Sequence, residues 1–135
     1  MIYKTKQNDY VKERFLLCKV YGYCRTALAD EEEIQRRIEL IKKYCEDNGL
    51  SLEKCFYDDG VNGFDIGEDF KQLMRELEND DMVVIRDPSQ LSRSSERLLM
   101  LMGQFDHMGV KIVYVNGGEV RMPSIAEWIE KRLAR

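Results

Sequence analysis

The sequence has one histidine, one tryptophan and two prolines in 135 residues, and no excess of basic charge. Each scarcity excludes something. His107 has no cysteine near it, so a histidine–cysteine metal site has no ligand set, and no cofactor motif takes its place. Cys18, Cys24, Cys45 and Cys55 form no C-x-x-C pair and sit in apolar surroundings, where they read as buried thiols. No apolar run approaches the ~20 residues that span a bilayer. The N-terminus lacks the unbroken apolar core of a signal peptide, so no membrane contact and a cytoplasmic location are expected. Twenty-one basic and 25 acidic side chains give a net charge of −4. That balance does not suggest an independent DNA-binding domain, although it leaves room for a local basic patch. Repeats, low-complexity tracts and Pro/Ser-rich linkers are missing too.

What is present is a chain that is 44% hydrophobic and 34% charged, suited to one globular domain with a real core. Residues 1–16, polar and mixed, read as an N-terminal extension, and residues 17–135 as the domain. Cys18–Arg25 is rich in β-formers. Asp30 and Glu33 have capping-box spacing, and Ile34, Ile38, Ile41 and Cys45 then repeat as one helical face that Asn48–Gly49 stops. Leu52–Asp59 is a second strand. Gly60–Gly67, with three glycines, reads as a mobile loop. Phe70, Leu73, Met74 and Leu77 mark a second helix. Met82–Asp87 is a buried parallel strand ended by Pro88, and Leu98, Met102 and Phe105 define a third helix closed by Gly109. Val110–Val115 is a fourth strand, Asn116–Gly118 turns, and Ser124–Arg135 forms a final amphipathic helix. The order predicts a three-layer α/β fold, with a mainly parallel sheet of four to five strands and helices on both faces. Ligands in such folds sit at the carboxyl ends of the strands. The end of strand 1, the Gly60–Gly67 loop and the turn after strand 3 are therefore expected to meet at one crevice.

The chemistry open to that crevice is narrow. Strand 1 is not followed by G-x-G-x-x-G, and no P-loop occurs. A phospho-acceptor domain needs carboxylates at the end of strand 1 to hold Mg²⁺, where this chain has Arg25. Tyr23, Arg25 and Arg93 remain. Converging arginines suit an anion, of which a phosphodiester is a common form, or each pairs with a surface carboxylate.

"YGYCRTA", then "DDGVNGF", then "LSR" opening the third helix resembles the catalytic domain of the serine recombinases, the resolvase/invertase family. The resemblance runs from about Val20 to Gly118. It implies DNA cleavage by a serine that attacks a phosphate, with arginines clamping the phosphate and stabilising the transition state. Tyr23 fills the family's aromatic position, Arg25 its first arginine and Arg93 a later one. Asp59, Gly60 and Gly63 fit the second motif, with Asn62 where a serine is usual. Gln35 is similar to a glutamine of the family's first helix, allowing a one-residue offset. Ala27 stands at the nucleophile position. Gly67 or Glu68 stands where an arginine is typical, Ser89 at the aspartate and Gln90 at a further arginine.

A methyl group cannot make the covalent bond that a hydroxyl makes. Thr26 is expected to face away, since alternate strand residues point to opposite faces. Ser92 and Ser94 read as helix-start residues. The resemblance thus implies a degenerate recombinase domain, an accessory or regulatory protein of DNA recombination or of a mobile element that binds DNA weakly alone. The alternative is the catalytic domain of an active recombinase that a partner or missing segment completes. The helix at Ser124–Arg135 is about a dozen residues, roughly 18 Å at 1.5 Å per residue, and no DNA-binding module is identified after it. Its stripe of Ile125, Trp128, Ile129 and Leu133 docks on its own sheet or meets a partner, such as another recombinase or a second copy.

Overall fold

The computed structural model describes residues 18–62, 64–116 and the backbone of 118–120. The 1–16 extension, Gly63 and the helix expected over Ser124–Arg135 lie outside the described residues. The elements are β1 (Val20–Thr26), α1 (Glu31–Asp47), β2 (Leu52–Asp59), α2 (Glu68–Glu76), β3 (Met82–Ile85), a 3₁₀ turn (Pro88–Gln90), α3 (Ser95–Met108), β4 (Lys111–Tyr114) and β5 (Gly118–Val120). The sheet order is β2-β1-β3-β4-β5. The first four strands are parallel and β5 returns antiparallel, pairing Ile112 with Val120 and Tyr114 with Gly118. The turn expected at Asn116–Gly118 thus ends one residue inside a short fifth strand.

Two apolar layers cover the sheet. Ile34, Ile38, Ile41 and Cys45 of α1 bury against Cys24, Val84 and Val113. On the opposite face Phe70 and Leu73 of α2, and Leu101 and Phe105 of α3, pack on Tyr23, Phe56, Val83 and Ile85. The period of 3.6 in the helices and the unbroken apolar run of β3 fix this sandwich before any polar contact is counted.

The helix ends obey local chemistry. Asp30 caps α1 by accepting from the Glu33 amide at 3.1 Å, and Ser94 caps α3 by accepting from the Arg97 amide at 3.3 Å. Gly109 closes α3 in the left-handed conformation, φ 71°. β1 has β2 on one side and β3 on the other, so the chain's direction of travel reverses there. The carboxyl ends of β1 and β3 therefore splay their loops apart and leave a crevice.

Candidate functional site

That crevice is a cleft of about 460 Å³ lined by the segment from Arg25 to Asp30, by Glu33 and Arg37 of α1, and by Arg86, Ser89, Gln90 and Arg93 after β3. Ala27 is exposed at its mouth. Four arginines face two acids there, a surplus of two positive charges in a chain of net charge −4.

Most of these arginines are already engaged. Arg25 is buried, and its Nη2 donates to the carbonyls of Val61 at 3.0 Å, Asp65 at 3.2 Å, and Asn62. These bonds tie Val61, Asn62 and Asp65 of the loop expected to be mobile to the end of β1. Val61 N–H also donates to the Thr26 carbonyl at 2.9 Å, and Arg97 of α3 donates to the Phe64 carbonyl. Arg37 donates through Nε to Glu33 at 2.9 Å and through Nη1 to the Arg25 carbonyl and, at 3.3 Å, to Gln90 Oε1. Arg86 Nε donates to Asp87 at 2.6 Å. Among the described residues Arg93 is exposed and makes no ion pair or side-chain hydrogen bond, so it is the cation presented to solvent.

Gln90 and Ser89 are structural parts of this arrangement. Gln90 is 2% exposed, and its Oε1 accepts the Arg25 amide at 2.9 Å, tying the 3₁₀ turn to β1. Ser89 donates its hydroxyl to Asp87 Oδ1, which also accepts the Ser89 amide at 2.9 Å. Burial pushes the Asp87 carboxyl up, but the Ser89 hydroxyl and the Arg86 guanidinium outweigh it and hold the group below the usual carboxylate range.

The consecutive Asp58 and Asp59 divide two tasks. Asp58 is buried. Its Oδ2 accepts the Tyr23 hydroxyl at 2.6 Å and the Phe70 amide at 3.0 Å, while Oδ1 accepts the Asp69 amide at 3.0 Å. It therefore serves as the anionic cap of α2, whose N-cap Gly67 has no side chain to offer. Burial and the Asp58 hydrogen bond push the Tyr23 phenol far above its ordinary ionisation range. Asp59 turns to the cleft side, where Oδ1 accepts the Thr26 hydroxyl and the Asp30 amide at 2.8 Å. The Thr26 hydroxyl, then the Asp30 amide, lower its carboxyl below the usual range.

Several sequence expectations change here. Tyr23, which fills the family's aromatic position, is 0% exposed and meets Phe70 edge-on with ring centroids 5.2 Å apart. Gln35 is exposed on α1 and does not line the cleft; Glu33 and Arg37 do, because each lies two helical positions from Gln35, a rotation of about 200°. At Gly67, matched with Glu68 to the family's arginine, a Cβ would lie 2.0 Å from the Asp58 carboxyl carbon, so a side chain there requires that carboxylate to move. Thr26, expected to face away, lines the cleft beside Arg25, accepts the Gly60 amide at 3.1 Å and donates to Asp59. Arg25, Ala27, Ser89, Gln90 and Arg93 do converge, Asp59 supports their rim, and Gly63 lies outside the described residues. The reading missed Arg37, Arg86, Glu33 and Asp58. A signal for Arg37 existed: it is a cation at helical spacing between Ile34 and Ile41, on the core-facing side of α1.

No cluster of His, Cys, Asp and Glu among the described residues forms a metal site, and no described helix is long and apolar enough to cross a membrane. A doubly wound sheet with an arginine-lined cleft at its strand ends defines the architecture as an α/β domain. The family follows from the sequence comparison: the model for the resolvase N-terminal domain matches residues 20–131, and the chain belongs to that family of serine recombinases, whose members serve DNA recombination. The fold is similar to the N-terminal catalytic domain of TP901-1 integrase, with TM-score 0.72, 23% identity, and coverage of 87% of this chain and 99% of that one. A resolvase family site-specific recombinase from Streptococcus pneumoniae superposes with TM-score 0.66 at 18% identity, covering 87% and 85%. The C-terminal catalytic domain of ISC1926 TnpA, an IS607-like serine recombinase, gives 0.62 at 20%, covering 86% and 78%. No curated protein matches the chain.

Proposed function

We propose that this resolvase-type domain has lost DNA strand cleavage and acts as a non-catalytic accessory or regulatory partner in DNA recombination, including that of a mobile element. The carrying observation is Ala27, a methyl group exposed at the mouth of the cleft where the family's resemblance requires a nucleophilic hydroxyl. Its surroundings support the same reading. Arg25 is committed to loop carbonyls, and Gln90 to the Arg25 amide. Arg93 still offers a contact to a phosphodiester, so a weak and salt-sensitive hold on the DNA backbone remains, without the chemistry. Another recombinase or a second copy is the protein partner, through the apolar stripe of Ile125, Trp128, Ile129 and Leu133.

The test is covalent protein–DNA adduct formation with a nicked suicide substrate, alongside nicking of supercoiled DNA. No adduct is expected. An adduct would establish the active-recombinase reading, for which one observation speaks: the Thr26 hydroxyl lines the cleft and donates to the Asp59 carboxylate. Mapping the linked residue would show whether Thr26 had taken over the nucleophile's part.

A further inference from the structure

The first turn of α1 has the sequence of a capping box, in which Glu33 reaches back to the Asp30 amide. Only half of the box is made. Asp30 accepts the Glu33 amide at 3.1 Å, but the Asp30 amide donates to Asp59 at 2.8 Å. The Glu33 carboxylate is released from its usual helical task and turns toward two guanidiniums. Its Oε1 accepts Arg37 Nε at 2.9 Å, and its Oε2 accepts Arg36 Nε at 3.0 Å and lies 2.8 Å from Arg36 Nη2. Glu33 and Arg37 both line the cleft, and Arg36 does not.

We propose that Glu33 is an internal counter-anion of the cleft, holding Arg37 where a phosphate oxygen would otherwise compete for it and so setting how strongly the cleft takes a phosphodiester. The inference rests on the cleft being a non-cleaving phosphodiester site. Arg37 is oriented on three sides: Nε faces Glu33, and Nη1 faces the Arg25 carbonyl and Gln90. A phosphate entering the cleft must displace the carboxylate or share the guanidinium with it, and it meets a negative charge in either case. The two arginines hold the Glu33 carboxyl below the usual range, Arg37 contributing most, so the competitor stays ionised near neutral pH. Neutralising it raises the positive surplus of the lining from two charges to three.

The bland account makes Glu33 a helix-surface ion pair with no bearing on ligands. Glu32 supplies the matched control. It occupies the same first turn, faces the same helix dipole and lies 4.0 Å from Arg36, but it is outside the cleft. The experiment compares wild type, Glu33→Gln and Glu32→Gln by fluorescence anisotropy on a labelled DNA duplex across a salt series. Glu33→Gln is expected to bind roughly two- to five-fold tighter, about the factor that one opposing surface charge is worth. Its log–log salt slope should steepen toward one further phosphate contact, about 0.9. Glu32→Gln should bind as wild type does. Equal gains in the two variants, no gain in Glu33→Gln, or no binding by any of the three would overturn the proposal. Covalent adducts, scored in parallel on denaturing gels, report separately on whether the site is non-cleaving.

Discussion

The carboxyl ends of β2 and β3 flank β1 on its two sides and carry different kinds of chemistry. At the end of β2 both carboxylates are tied to groups of the fold. Asp58 takes the Tyr23 hydroxyl and two α2 amides, and Asp59 takes the Thr26 hydroxyl and the Asp30 amide. At the end of β3 Asp87 and Gln90 are tied in the same way, but Arg93 is left exposed to solvent. The difference shows where a binding function can persist. Charges locked into a strand end serve the fold, and a charge left unpaired on a turn is available to a ligand.

Breaking the β2 side has the largest expected effect. Asp58→Ala removes three hydrogen bonds to a buried carboxyl group and leaves the buried Tyr23 hydroxyl unsatisfied, so a loss of about 3 kcal/mol or more in urea unfolding is expected. Gly67→Arg, which motif similarity alone would offer as a restoring change, should be of the same order. Its Cβ overlaps the Asp58 carboxyl, and relieving that clash dismantles the cap of α2. A Gly67→Arg protein as stable as wild type would show that the Asp58 cap is dispensable.

Arg25→Lys sharpens the comparison at intermediate size. The charge is kept, but the lysine ammonium ends short of the Nη2 position from which Arg25 reaches the carbonyls of Val61, Asn62 and Asp65. A loss of about 1–2 kcal/mol is expected, with faster amide hydrogen exchange confined to the 60–67 loop. Unchanged exchange there would mean that other contacts hold the loop.

These contacts also mark what was legible in the sequence. The bounds of β2 and the buried face of α1 followed from periodicity, because apolar burial is strong enough to override local detail. The cleft's position followed from strand order. Which of Asp58 and Asp59 points inward did not follow: both end the same strand, and the choice depends on the α2 amides that Asp58 meets in three dimensions. The same holds for Gly67. Three glycines in one loop suggest mobility, yet this one is required by a close approach to a carboxylate 9 residues earlier in the chain. Arg86 was passed over because a strand-end arginine carries no periodic signal.

Ala27→Ser should change stability little, within about 0.5 kcal/mol, since the side chain is exposed and has no packing to disturb. It should also give no adduct with a suicide substrate. A hydroxyl attacks effectively only when the phosphate is held in line and its developing charge is met. Arg25 has its Nη2 tied to loop carbonyls, and Gln90 brings no charge. Robust adducts from this single change would place the loss of activity at one atom rather than across the site.

The smallest expected effect concerns acid and tests the β3 side. The Asp87 carboxyl sits below its ordinary value of 3.8 in the folded protein; burial opposes this, but the Ser89 hydroxyl and Arg86 prevail. The sign follows from proton linkage. The unfolded chain takes up the proton first as pH falls, so the stabilisation from this group is present above 3.8 and is lost as pH drops through the lower folded value. Asp87→Asn should therefore cost stability at neutral pH and converge on wild type in acid. The measurement is urea unfolding of both proteins from neutral pH down to about pH 2, reading the difference in midpoint. Parallel curves would mean that Asp87 contributes through shape and hydrogen bonding alone. Convergence would show that the β3 turn depends on an ionised carboxylate. The two strand ends would then differ only in the arginine that one of them leaves exposed.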